Sequence, residues 1–283
     1  MRAHLLVAIA AGAGLLSSAC DDATSPRDAV LRNVIIYTTT VSGSWQLEVM
    51  HPDGSGRRQI TQGEGDYYTP AISPDGRRIA AAKFDGNVPS IYVMDADGAN
   101  LKKIGRSSGD YGPAWSPDGS RIVFRSTVDI GGNAFGRIFL MNVDGTGLLQ
   151  LTEDPTPPDA YSPYDDCPRW SPDGTKILFT RNGILQTMNP DGTGLTSLGN
   201  EDGSGSADWS PDGTRIAYGS YWDGKDIRIR NADGSGRVGL TTPRRRRTGR
   251  AGRPTGNGWC SNVSSMAAPS CLSCVPMAPV KWV

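Results

Sequence analysis

The sequence predicts an all-β fold, a β-propeller of four-stranded antiparallel blades with about five blades readable, and three observations carry that prediction. The first is the tetrapeptide Ser-Pro-Asp-Gly, at Ser73 to Gly76, Ser116 to Gly119, Ser171 to Gly174 and Ser210 to Gly213, spaced by 43, 55 and 39 residues. The second is an Asp-Gly pair after a short apolar run, at Asp53, Asp97, Asp144, Asp191 and Asp233, spaced by 44, 47, 47 and 42. Two interleaved markers with a period in the forties indicate blades around an axis, not a helical solenoid. The third is composition: 36 Gly and 20 Pro among 283 residues argue against long helices, yet stay below the level of a disordered low-complexity chain.

Strands follow from what lies between the markers. Arg78-Ile79-Ala80-Ala81, Arg121-Ile122-Val123-Phe124, Lys176-Ile177-Leu178-Phe179 and Arg215-Ile216-Ala217-Tyr218 come after each Pro-Asp-Gly, while Ile91-Tyr92-Val93-Met94 and Ile138-Phe139-Leu140-Met141 precede the second marker. These are short apolar runs rich in β-branched and aromatic residues and bounded by turn residues. Pro fixes φ at a turn's second position and Gly accepts a positive φ, so both markers read as hairpin turns. Runs ending Ile60-Thr61, Leu151-Thr152 and Leu240-Thr241 supply a fourth, outer strand. Trp115, Trp170, Trp209 or Ile72 stands before the tetrapeptide and is expected to pack between neighbouring blades. Pro117, Asp118 and Gly119, Pro172, Asp173 and Gly174, and Pro211, Asp212 and Gly213 complete the structural motif. Within a propeller region at 33–241, blades fall at 34–61, then about 66–104, 110–152, 165–198 and 204–241. The first lacks its Ser-Pro-Asp-Gly strand, as expected where a ring closes with a strand from the C-terminus.

Ahead of the blades, residues 1–19 read as an export signal. Arg2 gives a short positive region, Leu5 to Leu16 is an apolar run too short to span a bilayer, and Ser17-Ser18-Ala19 supplies small residues for cleavage. Leu16-Ser17-Ser18-Ala19-Cys20 resembles the bacterial lipoprotein signal, although Ser17 stands where that family usually has Leu. The resemblance implies that Cys20 is lipidated and becomes the mature N-terminus; an ordinary secretory signal cut near Ala19 is the other reading. Residues 20–32 then form a polar tether.

The repeat itself carries a resemblance. Pro113-Ala114-Trp115-Ser116-Pro117-Asp118-Gly119, followed by Ile122-Val123-Phe124 and later by Met141-Asn142-Val143-Asp144-Gly145, is similar to the repeat of TolB-type β-propellers, and the similarity recurs from about 33 to 241. It implies a six-bladed, periplasmic propeller. TolB itself has an α/β domain before its propeller, whereas about a dozen residues separate Cys20 from the first strand here, so that protein's particular partners do not transfer.

The zero net charge hides a split. Residues 242–283 contain no Asp or Glu but six Arg and one Lys, while residues 3–241 hold 21 basic against 29 acidic side chains. The tail is expected to be an out-of-frame translation of a sixth blade, or disordered. Reading the third base of each codon with the first two of the next, Ala251 through Gly256 permits W-S-P-D-G, and Gly256 to Ser261 permits K-R-(L/M/V)-V-F, its second V forced by Trp259-Cys260. Cys274 to Val280 permits R-A-D-G-S-G, and the two turn glycines fall 22 codons apart, as do Gly76 and Gly98. Loss of one base between the codons for Thr241 and Ala251 accounts for this, and leaves Arg244 to Arg247, Cys260, Cys271 and Cys274 without a selected role.

Catalytic and metal chemistry find little support. His4 and His51 are the only histidines, which weakens most hydrolytic triads and most zinc sites. Gly105 to Gly109 fits Gly-x-Ser-x-Gly, but in an inter-blade loop, without the strand-turn-helix elbow that the motif needs. Asp95 to Gly98 echoes the start of a calcium loop and is better explained as a hairpin turn. No cofactor and no metal are expected, and an exported acidic body argues against nucleic acid.

Polar residues just before the first strand of each blade, where the family architecture puts the mouth of the central channel, are the candidate binding site. These are Asp66, Tyr67 and Tyr68, then Asp110 and Tyr111, then Asp165 and Asp166, with Ser204 in the last blade. A ring of carboxylates with Tyr is expected to receive a basic peptide segment or a cation; solvated loop charges are the alternative. Beside it lies a Pro-rich insertion from Glu153 to Tyr164, with Tyr161 and Tyr164 as candidate contacts. The expected function is non-catalytic binding of a cell-envelope protein or peptide on the periplasmic side of a bacterial membrane, with membrane contact through the lipid anchor only. One rival is the propeller part of a prolyl-oligopeptidase-like peptidase whose catalytic domain is missing. A carbohydrate-binding or lyase propeller is another, and would want a metal-ligating His cluster.

Overall fold

A computed structural model describes residues 30–241 apart from 42, 107, 131, 154–162, 200–203 and 221–225, together with a two-residue strand at Ala8–Ile9. The signal residues other than that strand, Cys20, most of the tether, Tyr161 and the tail 242–283 lie outside the described residues.

Twenty strands form five four-stranded antiparallel sheets. The first blade comprises β1 (Ala8–Ile9), β2 (Ile35–Val41), β3 (Ser44–Met50) and β4 (Arg58–Gln59). The second holds β5 (Tyr67–Ile72), β6 (Arg78–Asp85), β7 (Val88–Asp95) and β8 (Lys102–Lys103); the third β9 (Tyr111–Trp115), β10 (Arg121–Ile130), β11 (Asn133–Asn142) and β12 (Leu149–Gln150). In the fourth are β13 (Asp165–Trp170), β14 (Ile177–Arg181), β15 (Ile184–Met188) and β16 (Thr196–Ser197); in the fifth β17 (Ser204–Trp209), β18 (Arg215–Ser220), β19 (Asp226–Asn231) and β20 (Val238–Gly239). Successive first strands β5, β9, β13 and β17 are neighbours, so they line the axis. Among the described residues no strand of the fifth blade touches the first.

The Ser-Pro-Asp-Gly turn is held together by its own atoms. In all four copies the Ser hydroxyl donates to the Asp carboxylate at 2.5 Å. That hydroxyl also accepts the backbone N–H five residues on at 2.9 Å. The carboxylate in turn accepts the N–H two residues beyond it at 3.0 Å. These bonds favour the ionised acid, and the Ser hydroxyls hold Asp118 and Asp212 down at about 2. A carboxyl depressed on folding stabilises above its unfolded value of about 4, and that contribution is lost as pH falls toward 2. The Gly that closes each turn sits at φ between 69° and 74°, where a side chain is strained.

Two elements differ from the sequence expectation. The first blade has a fourth strand, with Ala8 paired to Ile36 and Ile9 to Ile35. An open edge on β2 presents unpaired backbone groups, and a short apolar segment with strand propensity can satisfy them. The outer strands are only two residues long and end before Ile60-Thr61, Leu151-Thr152 and Leu240-Thr241, the pairs expected from the sequence to end them. Ile60 and Leu151 turn inward instead, and Thr61, Thr152 and Thr241 accept the N–H of Leu47, Ile138 and Ile227 on their hydroxyls at 2.9 Å. The hydroxyl replaces the next rung of the ladder and ends the strand.

The core lies between blades. Trp115 packs with Ala80, Ala82, Ile91 and Val93 of the preceding blade and donates its indole N–H to the Ala71 carbonyl at 3.0 Å. Trp170 packs likewise in a cluster with Ala114, Val123, Ile138, Leu140 and Leu151, but its buried indole N–H has no hydrogen-bond partner among the described residues. Ile72 and Trp209 border the corresponding clusters, and Arg78 and Arg121 stack on Trp115 and Trp170 at 4.8 and 5.2 Å.

Candidate binding site at the inner-strand mouth

Each inner strand is broken near its start by a bulge. Register shifts lie between Tyr68 and Ala71, opposite Val123 to Arg125 on the partner of β9, between Asp166 and Arg169, and between Ser204 and Ala207. The residue three before the Trp or Ile is left-handed in three blades: Thr69 at φ 48°, Gly112 at 60° and Cys167 at 53°. Such a conformation is costly for a β-branched Thr and is retained where a bulge must re-aim the strand. The Gly112 N–H donates to Thr69 Oγ1 at 3.1 Å, so equivalent bulges of adjacent blades touch.

These bulges fix where the predicted residues point. Tyr67, Asp110 and Asp165 share one position, opposite Lys83, Ser126 and Arg181 on the second strand, and all three are buried. Tyr68, Tyr111 and Asp166 share the next; Tyr68 and Asp166 are half-buried and Tyr111 is covered. Asp66 lies one residue earlier than Asp110 and Asp165 and accepts the Trp45 N–H at 2.8 Å. The three aspartates therefore do not form one ring of equivalent positions.

Nor are the inner two open to solvent. Asp110 is fully buried and accepts from the Ser126 hydroxyl at 2.6 Å, the Arg106 N–H at 2.6 Å and the Ser90 hydroxyl at 3.5 Å. Asp165, also fully buried, receives both arms of Arg181 at 2.6 and 2.9 Å. Asp166 accepts the Cys167 N–H at 2.7 Å. A buried carboxylate that is already bonded or paired offers little attraction to an incoming cation, so the mouth is not the acidic funnel that residue types alone imply.

Aromatic groups and cations dominate instead. Trp45, Tyr68, Phe84 and Tyr111 follow one another at centroid separations of 6.1, 5.5 and 6.1 Å. Arg125 continues the arc, lying 5.6 Å from the Tyr111 ring and 4.9 Å from that of Tyr164. Six side chains thus run from the first blade to the edge of the fourth, and Trp45, Tyr68, Phe84 and Tyr164 are half-buried. Burial first, then the Asp66 charge, pushes the Tyr68 hydroxyl up to about 12, so it stays a neutral donor. Sequence reasoning singled out Tyr68, Tyr111 and Tyr164 and missed Trp45, Phe84 and Arg125. The last could have been found by its place just beyond the apolar run Ile122-Val123-Phe124.

A concavity of about 600 Å³ lies at the opposite, Ser-Pro-Asp-Gly end, between the fourth and fifth blades, lined by Pro172, Asp173, Lys176, Trp209 and Asp212. Among the described residues no cluster of three or more His, Cys, Asp or Glu is placed to hold a metal ion.

The TolB beta propeller domain, as a family model, matches residues 28–246, more than three quarters of the chain. The chain belongs to the TolB β-propeller family. Among curated proteins it resembles the Tol-Pal system protein TolB of Anaeromyxobacter dehalogenans (strain 2CP-C), with 32% identity over 113 residues, 40% of this chain and 25% of that protein. The chain thus spans a quarter of that relative's length. Among solved structures, a putative TolB from Agrobacterium tumefaciens superposes with a TM-score of 0.61 at 20% identity, covering 73% of this chain and 76% of that one. A puromycin hydrolase mutant superposes at 0.55 with 17% identity, over 74% of this chain and 37% of the other. Both structural likenesses speak to the fold alone. The TolB-type blade accordingly accounts for the repeat, its turns and its inter-blade tryptophans.

Proposed function

We propose that this chain is a lipid-anchored protein on the periplasmic side of a bacterial membrane, whose propeller binds an envelope protein or peptide without catalysing a reaction. The observation that carries the binding part is the half-buried aromatic arc at the inner-strand mouth. Tyr and Trp supply large, rigid, amphipathic contact area, as recurrently found in binding hot spots. Membership of the TolB family supports an envelope partner, and the named Tol-Pal relative supports the compartment. Asp66, Tyr68, Asp166 and Tyr164 are the predicted residues left within reach of a partner; Tyr67, Tyr111, Asp110 and Asp165 act behind them.

Photocrosslinkers placed at Tyr68 and at Leu149, an exposed outer-strand residue, test the assignment in intact cells. Tyr68 is expected to yield a defined protein adduct that Leu149 does not, and the Trp45→Ala/Phe84→Ala pair is expected to weaken binding by about tenfold or more. Adducts from the outer edge alone would place binding elsewhere. For the anchor, which requires that cleavage before Cys20 remove the Ala8–Ile9 strand from the first blade, mass spectrometry of the mature protein is expected to show a multiply acylated Cys20, and Cys20→Ser is expected to release the protein from membranes. An unmodified Cys20 removes the anchor from the proposal and leaves the binding mouth standing.

A further inference from the structure

One face of the fifth blade lacks the cover that its counterparts have. Counting back seven residues from the Gly of the second turn gives Leu47, Ile91, Ile138 and Leu185, all at most 1% exposed, but Ile227 in the fifth blade is only half-buried. Counting forward six gives Ile60, Leu151 and Leu198 at 6% and a half-buried Ile104, but Leu240 at 43%. In blades one to four these side chains are covered by the next blade. Here is a face with the same residue types and no neighbour among the described residues.

The sequence after that face permits a matching blade in another reading frame. When the third base of each codon is read with the first two of the next, some outcomes are fixed whatever the free base. Gly258-Trp259 yields NTG, always Leu, Met or Val, and Trp259-Cys260 yields Val. If the shifted Thr255-Gly256 codon is the turn Gly, these fall three and four places after it, where the existing blades have Ile79, Ile122, Ile177 and Ile216, then Ala80, Val123, Leu178 and Ala217. Met277-Ala278 yields Gly without choice. Seven and four places before it, Ser270-Cys271 and Ser273-Cys274 again yield only Leu, Met or Val. Those are the places of Leu47, Ile91, Ile138 and Leu185, and of Met50, Met94, Met141 and Met188. Met266-Ala267 forces another Gly 11 places before the turn; the hairpin glycines Gly43, Gly86, Gly132 and Gly183 stand 11, 12, 13 and 9 places before theirs. The code thus fixes four apolar residues and two glycines; two of the apolar residues take blade positions relative to the forced Gly at Met277-Ala278, and the other two do so when Thr255-Gly256 reads as the turn Gly.

We infer that the gene encodes a sixth blade one base out of frame with residues 251–280, and that the face bearing Ile227, Ile229 and Leu240 is its seat. An apolar blade face is stabilised by its neighbour, so covering this one stabilises the fifth blade first. The inference stands independently of the binding mouth.

Nucleotide sequencing of gene and transcript gives the first arm of the test. An open shifted frame spelling Trp-Ser-Pro-Asp-Gly at codons 251–256 is expected; a stop codon in that frame before Met277 overturns the inference. The second arm compares the chain as it stands with one whose frame is restored after Thr241. Restoration is expected to raise the melting temperature by about 5 °C or more and to slow hydrogen exchange of the β19 amides about tenfold. No change in either overturns the seat. If instead the unaltered chain is a dimer in solution that Leu240→Asp dissociates, the face belongs to a second copy, which also overturns it.

Discussion

Trp170→Ala is expected to cost about 3–5 kcal/mol of stability, the largest effect of any single replacement in the repeat motif. Trp170 is 7% exposed and fills the space between the third and fourth blades, touching residues of three strands and the Leu151 that follows the outer one. Alanine leaves a cavity that two separately braced sheets cannot close by small shifts. Because each blade leans only on its neighbours, the loss is expected to be local, so that the single unfolding transition splits or broadens. Urea unfolding followed by Trp fluorescence and by far-UV circular dichroism checks this, since the two probes then cease to coincide. Trp170→Phe should recover more than half of the loss. A Trp170→Ala melt within about 0.5 kcal/mol of the parent would mean that the blades do not depend on this contact.

Asp165→Ala should cost a similar amount for a different reason. Asp165 is fully buried and bidentate to Arg181, while the fully buried Arg137 donates to the Pro163 and Gly136 carbonyls close by and feels the same carboxylate. Burial lowers the Arg137 pKa and the Asp165 charge opposes that shift. Removing the acid strands cationic groups in a poorly solvated place, which typically costs about 3–5 kcal/mol. Removing both partners, as in Asp165→Ala with Arg181→Leu, should restore a substantial part, because the pair's net worth is far smaller than the cost of orphaning one member. Chemical denaturation of the two single variants and the double variant measures the coupling. Equal losses in Asp165→Ala and the double variant would show that Arg181 is not what the carboxylate serves.

The contrast between those two residues explains what the chain discloses on reading. Trp170 announces itself because it precedes a four-residue motif whose turn is built locally, from a Ser hydroxyl and an Asp carboxylate. Local causes leave local marks, and all four copies were found that way. Asp165 was equally visible as an acid before a strand, but its meaning depends on Arg181, sixteen residues away on the paired strand. Register across a bulge decided whether a carboxylate faced water or a guanidinium, and bulges carry no fixed sequence mark when Thr69 and Cys167 adopt the conformation usually left to Gly. The same holds at Asp66, where one residue of offset moves it out of line with Asp110. Ala8–Ile9 was hidden for another reason: its apolar run reads as an export signal, and nothing in those residues names β2 as a partner.

The self-contained turn has a bearing on how such chains grow. Every bond that holds Ser116-Pro117-Asp118-Gly119 closes within six residues, so a duplicated copy would form the same turn wherever it was inserted. The turn is therefore blind to the number of blades. That number must be recorded in the volumes wedged between sheets, where Ala80 and Ala82 meet Trp115 in one gap and Val123 and Leu140 meet Trp170 in the next. Copying a unit is then cheap in evolutionary terms, whereas changing the circumference requires several inter-sheet side chains to change size together.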